Sequence, residues 1–226
     1  FVLAAAGCTS LPESRYDRPT HAVADRADTR LGAAAAAARP AASTGSGVFA
    51  LPYARDAFAV RVLLAEAAQR TLDAQYYIWH DDITGILLLD ALQRAAGRGV
   101  RVRLLVDDNG TRGMDGLLAA LDRHPDVEVR LYNPFPHRKA RLIDYTLDFG
   151  RVNHRMHNKA FVADGAVAVV GGRNVGDEYL GAATGVAFAD LDVMTVGPVV
   201  SRVAEEFDLY WNSASSYAAR GLLDTS

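Results

Sequence analysis

Residues 157–174 read HNKAFVADGAVAVVGGRN. Two short β-rich runs, Lys159 to Ala163 and Val167 to Val170, flank Asp164-Gly165, so the stretch predicts strand, tight turn, strand. His157 and Lys159 are two residues apart, and on a strand their side chains share one face. Gly171-Gly172-x-Asn174 closes the second run. Adjacent strand ends of this kind bring an imidazole, an ammonium and a carboxamide over a diglycine backbone that a ligand can approach closely. The set suits a phosphoryl group. His157 attacks phosphorus, while Lys159 and Asn174 stabilise charge on the non-bridging oxygens. The competing account is a strand histidine satisfied within the core.

Upstream, Leu72–Trp79 (LDAQYYIW) reads as a strand, Thr84–Gly97 as a helix stopped by Gly97 and Gly99, and Val100–Val106 as a second strand. A short helix over Leu117–Leu121 and a strand over Val127–Tyr132 follow. This alternation is the signature of βαβ units, which place ligands at the carboxyl ends of their strands. Phe58 to Ala67 has the spacing of a helix with one buried side. Downstream, Leu191–Val196 reads as a strand and about 199–211 as an amphipathic helix. The fold class is α/β.

The pattern HxKxxxxD occurs twice. His137, Lys139 and Asp144 also match it, and the two copies hold both lysines of a chain with 22 arginines. The first copy follows Pro134 and Pro136, lies in no apolar strand and lacks the glycines and asparagine, so it reads as a decoy on a solvated face. Asp107-Asp108 resembles a metal pair, but turn chemistry explains it better without further ligands. No metal and no cofactor are expected.

The chain has 226 residues, 50% hydrophobic and 23% charged, with a formal net charge of −3. That disfavours binding nucleic acid by bulk charge. No apolar run approaches the roughly 20 residues of a membrane-spanning helix. Residues 1–8, FVLAAAGC, read as the end of a signal peptide whose lipobox-like Cys8, the only cysteine, is a lipidation site. Residues 9–47 hold few large apolar side chains and read as a disordered tether. The folded lobe is expected over 48–226.

The motif resembles that of the phospholipase D superfamily in its GGxN form. Together with DAQYYIWHDDITG, RGVRVRLLVDDNG, HPDVEVRLYNP, VVGGRNVGDEYL and FADLDVMTVGPVV, it resembles the bacterial cardiolipin synthase branch, especially its lipoprotein-like members, over about Val48 to Tyr217. The resemblance implies a phospholipase D-like mixed sheet flanked by helices, one lobe of a two-lobe fold. It implies a covalent phosphohistidine on His157, with Lys159 and Asn174 as phosphate ligands and Gly171 and Gly172 beneath the substrate. Asp164 takes a supporting part, and an acidic residue of the following strand, Asp190 ahead of Asp192, orients the histidine.

The expected activity is phosphatidyl transfer or phospholipid cleavage on a phosphatidylglycerol-like substrate, at a periplasm-facing, lipid-anchored site in the cell envelope. The alternatives are a phosphodiesterase or nuclease of the same superfamily, or an inactive lipid-binding lobe. Family members present two such motifs across one cleft, the second histidine acting as general acid. One complete motif is present in this sequence. The resemblance therefore implies a second lobe in cis or a homodimer partner.

Overall fold

The computed structural model describes residues 11, 19–23, 28–40, 43–138 and 140–223. Cys8 and Lys139 fall outside them, and so does the anchor expected at Cys8. The elements run in chain order as α1 (Arg30–Ala37), β1 (Gly47–Leu51), α2 (Ala54–Ala67), β2 (Thr71–Ile78), α3 (Ile83–Ala96) and β3 (Arg101–Gly110). Then come α4 (Asp115–Leu121), β4 (Val127–Tyr132), α5 (Arg141–Leu147), α6 (Phe149–Val152), β5 (Ala160–Ala163) and β6 (Val167–Gly171). The chain closes with α7 (Asp177–Leu180), β7 (Asp192–Val196), α8 (Pro198–Trp211) and β8 (Ser216–Ala218).

Eight strands form one mixed sheet in the order β1-β7-β6-β5-β2-β3-β4-β8. The pairs β2–β3 and β3–β4 are parallel, joined by crossovers through α3 and α4; the remaining pairs are antiparallel. Central strands buried on both faces carry apolar runs, as Leu104 to Val106 do. One face carries the main core, where Leu88, Leu92 and Leu118 pack on Leu72, Leu104 and Val129. The other is covered by α8, whose Phe207 and Trp211 close on Leu105 and whose Val200 closes on Val162 and Ala168. The mixed sheet with helices on both faces is the fold class expected.

A charge lies buried under α8. Arg103 bonds Asp73 at 2.7 Å and Asp208 at 2.9 Å, with its guanidinium 4.7 Å from the centre of the Phe207 ring. Paired and stacked in this way, the cation keeps partners in place of water.

Within 9–47 the described residues differ from a tether. Thr20 accepts from Arg103 through its carbonyl at 2.9 Å and from the Trp211 indole through its hydroxyl at 2.8 Å. Thr29 caps α1 by accepting from Gly32 N–H, and Ala35 is buried. Small residues suffice because hydrogen bonds to the lobe, rather than apolar bulk, hold the arm.

Candidate active site

β5 runs antiparallel to both β2 and β6, so the residues entering β5 lie beside the exit of β2 and the end of β6. His157 and Lys159 precede β5 rather than lying within it. Their convergence comes from a folded-back lysine. Lys159 Nζ stands 2.9 Å from His157 Nδ1 and 3.3 Å from Nε2, and donates to the His157 carbonyl at 2.7 Å. Tyr77, from the exit of β2, completes the group. Its ring lies 4.8 Å from the imidazole centroid, and Lys159 Nζ is 5.6 Å from the Tyr77 centroid.

Tyr77 was not among the residues singled out by sequence. Its signal is the antiparallel register of β2 with β5, Gln75 opposite Ala160, which no local pattern displays.

His157 is exposed and Lys159 buried. Partial desolvation and the Lys159 charge both push the imidazole below its ordinary value. The ring is thus held neutral, the form with a free electron pair. Desolvation also lowers the Lys159 ammonium, and the Asp190 carboxylate opposes that shift. Asp190 therefore acts on Lys159. The imidazole contacts given by the geometry are with Lys159 and Tyr77.

Asn174 is buried at the same sheet end. Its Oδ1 accepts from the Ile78 N–H at 3.1 Å, one residue after Tyr77. Its amide nitrogen has no hydrogen-bond partner among the described residues.

Asp190 and Asp192, alternatives by sequence, separate clearly. Asp192 is fully buried, paired with Arg61 at 2.8 Å, and accepts from Arg173 N–H at 3.2 Å. Asp190 is exposed just before β7, with its carboxylate against Gly172.

The two glycines leave room for groups at the start of β7. A Cβ on Gly171 would overlap Asp192 and come within 2.5 Å of the Leu191 carbonyl; one on Gly172 would overlap the Asp190 carboxylate. Neither has a positive φ, so what they supply is room for β7 and Asp190. Gly172→Ala is expected to lower turnover about tenfold, because Asp190 must swing from Lys159, while thermal stability changes by less than about 1 kcal/mol. Gly171→Ala, meeting backbone, is expected to lower the melting temperature instead. Paired kinetics and melting curves on both variants check this.

Asp164 lies apart from these groups. It sits at the hairpin turn between β5 and β6, the end opposite His157. Its carboxylate accepts from the N–H groups of Gln69, Arg70 and Thr71. A four-residue strand separates it from the imidazole, so it touches none of the reacting groups. The decoy differs as well. Its Asp144 is buried and lies 2.6 Å from His137 Nδ1, a local hydrogen bond rather than a solvated face.

Asp107 and Asp108 are buried anchors within β3. Asp107 accepts from Met156 N–H at 2.9 Å and pairs with Arg155, fixing the approach to His157. Its burial, partly offset by Arg155, raises the carboxyl to about 6. Among the described residues, His80, Asp82 and Glu178 also bring ligand-type atoms within 4.8 Å of one another. Those groups are already engaged. Asp82 caps α3 at Gly85 N–H and accepts from Asp177 N–H, while His80 pairs with Glu178 at 3.1 Å. The cluster is a junction between α3 and α7.

An imidazole and an ammonium thus meet at the sheet end that also carries Asn174, and similarity places the chain among known proteins. Residues 60–211 match the family model described as "Cardiolipin synthase, PLD-like domain". Over 178 residues the chain is 56% identical to cardiolipin synthase C of Escherichia coli (strain K12), covering 79% of this chain and 38% of that protein. The chain therefore spans well under half the length of this curated relative.

In fold it is similar to NucT from Helicobacter pylori, with a TM-score of 0.55 at 17% identity, covering 77% of this chain and 98% of that one. It is also similar to a phospholipase D family member, Nuc from Salmonella typhimurium, with a TM-score of 0.54 at 16% identity and the same two coverages. The family match runs from within α2 to the end of α8 and takes in His157, Lys159, Asn174 and Asp190, so the chain belongs to the cardiolipin synthase PLD-like domain family of the phospholipase D superfamily.

Proposed function

We propose that this chain forms one lobe of a bacterial enzyme that carries out phosphatidyl transfer or phospholipid phosphodiester cleavage. The observation that carries the reading is the Lys159 ammonium held against the exposed His157 imidazole at a sheet end shared with Asn174. A phosphodiester entering there takes over the Lys159 donors and frees the imidazole. An imidazole nitrogen then bonds to phosphorus, the bond from phosphorus to the leaving alcohol breaks, and a general acid protonates that alcohol. A lipid alcohol, or water, then attacks phosphorus and gives its proton to the conjugate base of that general acid, while the bond from phosphorus to nitrogen breaks and restores the imidazole. Lys159 and the Asn174 amide offset charge on the non-bridging oxygens.

The general acid belongs to a second lobe. Supporting a lobe in cis is the 38% share of cardiolipin synthase C that the chain covers; a second copy of this chain is the alternative. The substrate class, a phosphatidylglycerol-like lipid, is supported by the 56% identity to that synthase. Cys8 is proposed as the lipid anchor of a periplasm-facing envelope protein. Among the described residues, no helix is long and apolar enough to cross a membrane.

The test is mass spectrometry of the full-length protein quenched after brief exposure to phosphatidylglycerol. The expected result is a phosphatidyl adduct on the peptide containing His157, absent from His157→Ala. Steady turnover with no adduct at any quench time and full activity in the variant would overturn the reading.

A further inference from the structure

The segment between β4 and His157 is unlike the rest of the molecule. From 133 to 156 it holds five basic residues against two acidic, in a chain whose net charge is −3. It also carries large apolar side chains in water. Leu142 is 81% exposed, Leu147 75% and Phe149 60%, all on the short helices α5 and α6. Their backbone is nevertheless firmly held. Asp144, the acidic residue of α5, is buried against His137, and Asn133 donates to the carbonyls of Arg151 and His154 at 2.6 and 2.7 Å. The apolar tips are thus presented by an anchored element.

Beside them lies an open pocket of about 520 Å³, lined by Asn109, Arg112, Arg138, Arg141, Leu142 and Tyr145. Its cations outnumber their partners. Arg138 takes Asp108 and Asp115. Arg141 is left 3.6 Å from the same Asp108, stacks on Phe135 at 5.0 Å, and keeps a buried Nε with no hydrogen-bond partner. Arg112 is exposed and forms no ion pair among the described residues.

We propose that α5 and α6 form a membrane-docking surface whose occupant is an anionic lipid bilayer, with a lipid phosphate entering the Arg112–Arg138–Arg141 pocket. Aliphatic and aromatic tips beside guanidiniums are the composition of an interfacial element, which gains from apolar burial and from attraction to anionic lipid together. The pocket supplies unmatched positive charge, and a lipid phosphate supplies what Arg141 and Arg112 lack. Asp107 ties the far end of this segment, at Met156, to β3. The docked face and His157 are therefore held at one end of the sheet, which sets the nucleophile near the lipid surface. The inference concerns binding and does not rest on His157 being the nucleophile.

The test uses full-length protein in a Cys8→Ser background, so that acylation at that residue contributes nothing. Co-sedimentation is measured with vesicles of phosphatidylcholine alone and of phosphatidylcholine with phosphatidylglycerol. Binding to the anionic vesicles is expected, weakening as salt rises. The double variant Leu142→Glu, Leu147→Gln replaces exposed positions with helix formers, so the fold is retained. It is expected to lose more than about tenfold in vesicle affinity. Arg112→Glu is expected to weaken binding to anionic vesicles alone.

Turnover of detergent-dispersed phospholipid serves as a separate arm. Retained turnover in the double variant, with vesicle binding lost, supports docking. Vesicle binding without turnover in any form would sink the catalytic reading and leave docking standing. Equal vesicle binding by parent and double variant would overturn the proposal. So would slow labelling of Leu142→Cys by a polar maleimide without vesicles, since the rest of the protein would then cover the face.

Discussion

His157→Ala is expected to lower turnover of a phospholipid substrate by about 10⁴-fold or more, and Lys159→Ala by about 10² to 10³-fold. The ranking follows from what each atom does. His157 makes and breaks a bond to phosphorus, and no neighbouring group substitutes for that electron pair. Lys159 stabilises charge that builds on oxygens also served by the Asn174 amide. The histidine is exposed, beside Tyr77 and Lys159, so the His157→Ala melting curve is expected to match that of the parent protein. A loss of folding is thereby separated from a loss of chemistry.

The pH profile gives a second handle. Only the neutral imidazole attacks, so kcat/KM rises with pH through the His157 pKa. Desolvation and Lys159 both hold that pKa below the ordinary histidine value, and the acid limb is expected below it. In Lys159→Gln one of the two causes is gone. The pKa climbs back toward the ordinary value, and the limb moves to higher pH at the reduced rate. An acid limb that stays put in this variant, or near-parent turnover in His157→Ala, would remove His157 from the chemistry.

The parts of this site that were legible in sequence are those written in local spacing. His157, Lys159 and Asn174 lie on either side of one hairpin, and a hairpin carries its own register. The parallel βαβ run was legible for a similar reason, since period and crossover length determine neighbours there. Partners distant in sequence were not legible. Nothing near Tyr77 announces that β5 will pair with β2. Nothing in GVFAL at β1 announces β7 as its partner. The partners of Asp164 were not legible either, because the motif pattern records spacing without direction: a strand that leaves the active end carries its last residue toward Gln69, Arg70 and Thr71. The neighbours of the diglycine were also not legible. Small residues mark crowding, but not what crowds them, and here Asp190 and the start of β7 do so.

Asp164→Ala provides the sharpest contrast with His157→Ala, because it is expected to destabilise the fold by about 3 to 5 kcal/mol and leave the chemistry of the folded fraction unchanged. The carboxylate is buried and accepts at 3.1 Å from Gln69, 2.7 Å from Arg70 and 3.1 Å from Thr71. These three N–H groups lead into β2, and the Asp164 N–H donates in turn to the Thr71 carbonyl. Removing the acceptor strands buried donors, at about 1 to 3 kcal/mol for each group left unsatisfied.

A second cost adds to it. Asp164 has φ 48°, a left-handed conformation that asparagine and aspartate tolerate and alanine does not. Asp164→Asn keeps an acceptor oxygen and the favoured backbone, so it is expected to recover more than half of the loss. Asp164→Gly, which relieves the backbone only, is expected to recover less. Denaturant melts give the ordering, and kcat per folded molecule, measured where each variant is still native, gives the control. A kcat that fell in Asp164→Asn with stability intact would place this carboxylate back in the mechanism. It would also require a route across the length of β5 that the geometry does not contain.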